Sequence, residues 1–208
     1  MLSAQTILAL HDRLTLAWHD ASGQPAPLPG PPAEPNLLAL VSLQHRANFD
    51  LWHIEDEARA PGATDAQVAA VKRRIDSTNQ QRNDLAEQID RFLLAWLQPR
   101  SLPNPAAPLH SETPGLILDR LSILALKIFH TREESERPGA PAGHAQRNRN
   151  RLAILLEQRS DLALCLDALW AEVLAGSRRF KLYRQLKMYN DPSLNPAIYG
   201  DPAAPPSR

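Results

Sequence analysis

The chain has 208 residues, 43% of them hydrophobic, and its 23 Lys+Arg against 23 Asp+Glu leave a formal net charge of zero. Affinity for nucleic acid comes chiefly from phosphate neutralisation by surplus basic residues, so this balance argues against a DNA or RNA binder. The length suits one domain with a core, and no window approaches the roughly 18 uninterrupted apolar residues of a membrane span.

The N-terminal Met1-Leu2-Ser3-Ala4-Gln5 carries no positive charge ahead of its apolar stretch, unlike a secretory leader. The lone Cys165 cannot form an internal disulfide. Both point to a cytoplasmic protein. Proline inside a helix costs about 3 kcal/mol, so the 19 prolines mark where long helices cannot run. A short helix is expected near 3–20, followed by a stiff proline-rich linker over 24–35. Proline-free intervals follow at 36–60, 62–98, 115–137 and 142–191. Each has helical periodicity and none has sustained two-residue alternation. The expected fold is all-α, a single helical bundle of about five long helices spanning 1–200, with a disordered tail over 201–208. Thr64-Asp65-Ala66-Gln67 has the form of a capping box, and Ser111-Glu112-Thr113-Pro114 places proline where a first turn tolerates it. Gly176 is a plausible stop or kink.

Drawn at 100° per residue, the inward stripes are apolar with polar interruptions. The second helix runs Leu38, Val41, His45, Asn48, Phe49, Trp52, Asp56, Arg59. In the third, Asn79 and Arg82 interrupt a seam from Val68 to Leu97. In the fourth, Leu116, Asp119, Arg120, Ile123, Lys127 and His130 fall together on a helix apolar almost all round, which predicts burial. Arg159 is set among leucines of the fifth. Buried charges persist when paired, hydrogen-bonded or kept for a ligand. Two readings follow: a polar pocket where these seams meet, or an ion-pair and amide network that fixes helix register.

Asp50-Leu51-Trp52-His53 and His130 with Glu133 and Glu134 hint at metal ligation, but a carboxylate-bridged di-metal bundle needs a second Glu-x-x-His, which is missing. No metal and no cofactor is expected. Cys165 sits between leucines, Ser122 lies 60° off the charged stripe, and eight glycines leave little room for a phosphate loop. Acid/base chemistry or anion recognition fits better. His45 and His130 are candidate proton carriers, with Asp56 and Asp119 to orient them. Arg82, Arg120 and Lys127 are candidate anion ligands, and Asn48, Asn79 and Trp52 suit sugar hydroxyls and a sugar face. Trp52 is equally readable as core. The basic, aromatic segment Lys181–Asn190 is read as a helix ended by Asn190-Asp191-Pro192, with Lys187 and Asn190 added to the ligand set as a lid or partner surface.

Four blocks carry a family resemblance: His45-Arg46-Ala47-Asn48-Phe49-Asp50-Leu51-Trp52-His53-Ile54-Glu55-Asp56, Ile75 through Asp84, Asp119 through Leu124, and Lys187-Met188-Tyr189-Asn190-Asp191-Pro192. Together they resemble the bacterial family known as domain of unknown function 4254. The resemblance implies a small helical cytoplasmic protein associated with lipopolysaccharide and other surface-glycan genes, with no activity to carry over. The expected function is binding of, or action on, a polar or anionic sugar-derived ligand. The alternative is a non-catalytic scaffold or adaptor partnering a glycosyltransferase, its polar seam structural. Homo-oligomerisation is left open.

Overall fold

A computed structural model describes residues 2–20, 36–184 and 193–194. Five helices account for about three quarters of it: α1 (Ala4–Asp20), α2 (Leu37–Glu57), α3 (Asp65–Leu97), α4 (Pro114–Glu136) and α5 (His144–Leu174). The all-α reading holds. The linker expected over 24–35 and the tail over 201–208 lie outside the described residues.

Local chemistry sets most of the boundaries. Asn36 caps α2 by accepting from the Ala39 N–H at 2.9 Å. Thr64 and Gln67 form the expected capping box at the start of α3, each side chain bonding the other residue's backbone. Thr113 caps α4, with Pro114 in its first turn. α5 stops at Leu174 because Gly176 takes φ +71°, a left-handed turn that glycine tolerates. This corrects the reading of residues 181–184 as helical. Beyond the stop, the Arg179 N–H donates to the Pro108 carbonyl at 3.1 Å and the His110 N–H to the Arg179 carbonyl at 2.8 Å, tying the chain to the loop before α4. Phe180, 1% exposed, anchors that return. Lys187 and Asn190 lie outside the described residues.

Cross-helix contacts give the directions. Thr15 meets His45 and His19 meets Phe49, so α1 and α2 run parallel. Gln44 meets Asp119 and Trp52 meets His130, so α4 runs the same way. α3 is antiparallel, with Arg82 facing Asp119 and Asp90 facing Gly115. So is α5, whose Arg159 and Asp167 face Asp12 and Ala4 of α1. α4 touches all four other helices. That position explains its apolar circumference: Ile117, Leu118, Leu121, Ala125, Leu126 and Ile128 are all buried. The core includes Ile7, Val41, Ile89, Leu93, Leu166 and Trp170 from the surrounding helices. Because α1, α2 and α4 are parallel, polar residues on their facing stripes stack at matching levels.

Candidate functional site

Two polar levels lie between these three parallel helices. The lower is a hydrogen-bonded network. His45 and Gln44 are 0% exposed and Asn48 4%. The His45 ring joins Thr15 Oγ1 through Nε2 at 2.9 Å and Ser122 Oγ through Nδ1 at 2.7 Å. Asn48 Nδ2 donates to Ser122 Oγ at 2.9 Å and to Asp119 Oδ1 at 3.0 Å, and Gln44 Nε2 donates to the same carboxylate oxygen at 2.5 Å. Burial drives the His45 pKa down to about 3. At neutral pH the imidazole is an uncharged hydrogen-bond bridge between two hydroxyls. His11, fully buried, stacks on it at 4.4 Å with neither ring nitrogen hydrogen-bonded, and burial likewise holds it well below the usual histidine range.

The network opens at its α3 edge. Arg82 Nε stands 3.7 Å from Asp119 Oδ1, beyond a hydrogen bond, and this buried nitrogen has no partner. Burial raises the Asp119 pKa, while Arg82 and the two amides pull the other way. Asn79, part-buried, lies one turn before Arg82 on α3. The inner part of the network is buried and mostly hydrogen-bonded, with Gln44 Oε1 and both His11 ring nitrogens left over, whereas the ionic pair at its rim is loose.

The upper level is aromatic and rich in histidine. His19, His53 and His130 come from α1, α2 and α4. Their ring centroids are 4.9 to 6.0 Å apart. Trp52 stacks nearly parallel on His130, at 4.7 Å and 13°. Phe129 stacks on His19 at 4.1 Å and Phe49 lies 4.3 Å from His53. Burial lowers the His130 pKa, opposed by its bond to Glu133.

The structure therefore brings His45, Asn48, Arg82 and Asp119 together, with Asn79 nearby, and places Trp52 and His130 in the level above. It does not bring in the rest. Asp56 is exposed, because α1 ends level with His53 and one further turn of α2 projects past it. Arg120 and Lys127 are exposed on the α5 side of α4, where they line a separate groove with Gln158, Asp161 and Cys165. There Arg120 pairs with Glu112 at 2.7 Å. The reason is angular: at 100° per residue Arg120 and Lys127 stand about 80–100° from Asp119, while Ser122, Leu126 and His130 lie within about 60° of it. The stripe predicted for α4 was drawn too wide on one side and too narrow on the other. Arg159 pairs with Asp12 of α1 at 2.6 Å, and its charge acts on the neighbouring His11 rather than joining the network at Asp119.

Sequence reasoning missed Thr15, His11, His19, Gln44 and Ser122. Those on the first helix could not be found without its register against α2. Gln44 and Ser122 were legible as polar residues beside the stripe.

A family model described as protein of unknown function (DUF4254) matches residues 38–182. The chain belongs to this family. No curated protein and no solved structure matches it. The DUF4254 span contains the α2, α3 and α4 contributions to both levels, from Gln44 to His130, whereas α1, with His11, Thr15 and His19, precedes it. Among the described residues, no helix is long and apolar enough to cross a membrane.

Proposed function

We propose that this DUF4254 protein binds a polar, anionic, sugar-derived ligand at the α2–α3–α4 rim of the network. The observation that carries the reading is Arg82, whose side chain is 23% exposed, with a buried Nε that stands 3.7 Å from Asp119 and makes no hydrogen bond. A phosphate or carboxylate oxygen accepts what Asp119 does not reach, and Arg supplies the geometry for it. Asn79 and the free acceptor positions of Asp119 suit the neighbouring hydroxyls of a sugar. The setting in bacterial surface-glycan and lipopolysaccharide metabolism, in the cytoplasm, is carried from the family resemblance and the sequence. The buried inner network favours a second reading for that part alone, a device that fixes the register of α1, α2 and α4, as an adaptor for a glycosyltransferase would need.

Thermal-shift screening against sugar phosphates and nucleotide sugars tests the proposal. A ligand at ten or more times its Kd should raise the melting temperature of the native protein. Arg82→Met should abolish that rise while leaving the unliganded melting temperature within about 2 °C of native, because the loose rim pair contributes little. If Arg82→Met alone lowers stability by about 3–5 kcal/mol, the penalty for orphaning a buried charge, the pair is structural and the ligand reading falls.

A further inference from the structure

The three imidazoles of the upper level are arranged in a way that packing alone does not require. Each has its Nδ1 committed to an acceptor that carries no proton. His19 Nδ1–H donates to the Thr15 carbonyl at 2.7 Å, His53 Nδ1–H to the Phe49 carbonyl at 2.9 Å, and His130 Nδ1–H to the Glu133 carboxylate at 3.0 Å. Carbonyl and carboxylate oxygens cannot donate, so all three tautomers are fixed with the proton on Nδ1. Each Nε2 is then left with an unshared lone pair.

Those nitrogens converge. One ring nitrogen from each histidine lies within 4.8 Å of the other two, and with Nδ1 engaged the available set is the three Nε2 atoms. The Nε2 atoms of His19 and His130 are buried without a hydrogen-bond partner. A buried polar atom left unpaired costs about 1–3 kcal/mol, and three lone pairs facing one another add repulsion that a hydrogen-bond network would have avoided. A shared cation removes both penalties.

We propose that His19, His53 and His130 form a three-histidine site for a divalent first-row transition ion, with zinc the best match. Imidazole suits zinc, copper, nickel and iron, and the Nδ1 bonds are the outer supports that metal-bound histidines use to fix tautomer and ring orientation. Glu133 behind His130 makes a carboxylate–histidine pair of the kind that raises ligand basicity. The aromatic walls Trp52, Phe129 and Phe49 hold the rings in place. A tetrahedral ion with bonds of about 2.0–2.1 Å needs its nitrogens about 3.4 Å apart, so binding would draw together three nitrogens that now lie within 4.8 Å of one another. Three protein ligands leave a fourth position, the form taken by zinc sites that hold water or a ligand rather than purely structural ones. The sequence concealed this site because it takes one ligand from each of three helices, so no spacing within a helix announces it. The site is independent of the rim at Arg82.

Untagged full-length protein, stripped with chelator, should bind one equivalent of cobalt(II) with the intense visible absorption of a tetrahedral centre, and zinc should displace it. Glu133→Gln, on a half-exposed side chain that the fold does not need, should weaken zinc binding 10–100-fold in competition with a chromophoric chelator. His53→Ala should abolish the tetrahedral cobalt spectrum, while His110→Ala, outside the cluster, leaves it intact. The proposal is overturned if the native protein gives no tetrahedral cobalt spectrum, or if that spectrum survives unchanged in both His53→Ala and His130→Ala. Circular dichroism of each variant separates loss of metal from loss of fold.

Discussion

Between pH 6 and pH 4 the protein is expected to lose stability steadily as the pH falls. Five buried or half-buried groups set this direction. His45 is held neutral, with its pKa lowered from 6.5 to about 3, and His11 is lowered well below 6.5. A histidine with a depressed folded pKa takes up its proton more readily when unfolded. The stability it contributes is therefore complete above pH 6.5 and is lost as pH falls. Asp90 acts in the opposite sense. Burial raises its pKa from 3.8 to about 6, so its folded form binds the proton first, and stability grows as pH falls from 6 towards 4. His130, lowered by burial, adds to the histidines and Asp119, raised by burial, to the carboxyl, and the three histidines outnumber the two carboxyls in favour of unfolding. Urea unfolding in steps across this range measures the slope. Asp90→Asn should steepen the loss on acidification, and His11→Phe, which keeps a ring against His45, should flatten it. A slope that neither substitution alters would mean that these buried groups do not govern acid stability.

The same residues show what the sequence could and could not convey. Helix limits were legible because they rest on local chemistry: proline positions, the Thr64–Gln67 box, the Thr113 cap and Gly176 each act within a few residues. Over the described residues 181–184 the expected helix is not formed, for a non-local reason: just before them Arg179 is captured by the loop at 107–110. Site residues split along the same line. His45, Asn48, Arg82 and Asp119 were found because a polar residue in an apolar stripe is visible in one helix. Arg120, Lys127 and Asp56 were included wrongly in the convergence because a stripe has no edge until its partner helices are placed. The three-histidine level depends on α1, α2 and α4 running parallel in one register, and no feature of a single helix encodes that.

Gly115→Ala should be the most damaging small substitution in the molecule, with a loss of about 3 kcal/mol. In a helix, alanine is ordinarily favoured over glycine by up to about 1 kcal/mol, so propensity alone predicts a gain. Close approach reverses the sign. A Cβ at Gly115 would collide with the Ala86 backbone carbonyl and come within 2.9 Å of Asp90 Oδ1, and the former belongs to a helix that cannot step aside locally. Overpacking of this kind costs about 1–3 kcal/mol. The 2.7 Å bond from the Gly115 N–H to Asp90 would stretch as well, weakening the carboxylate's hold on the first turn of α4. Gly62→Ala provides the contrast: its φ is +85° but no atom lies within 4 Å, so only backbone strain of about 1–2 kcal/mol is expected. Paired melts of the two variants distinguish steric from conformational loss. The Gly115 effect should also reach the rim, because Asp119 stands one turn beyond Gly115 on α4, opposite Arg82 on α3. Pushing α4 off α3 widens a pair already at 3.7 Å, so any Gly115→Ala protein that folds should lose ligand-induced thermal stabilisation along with its own stability.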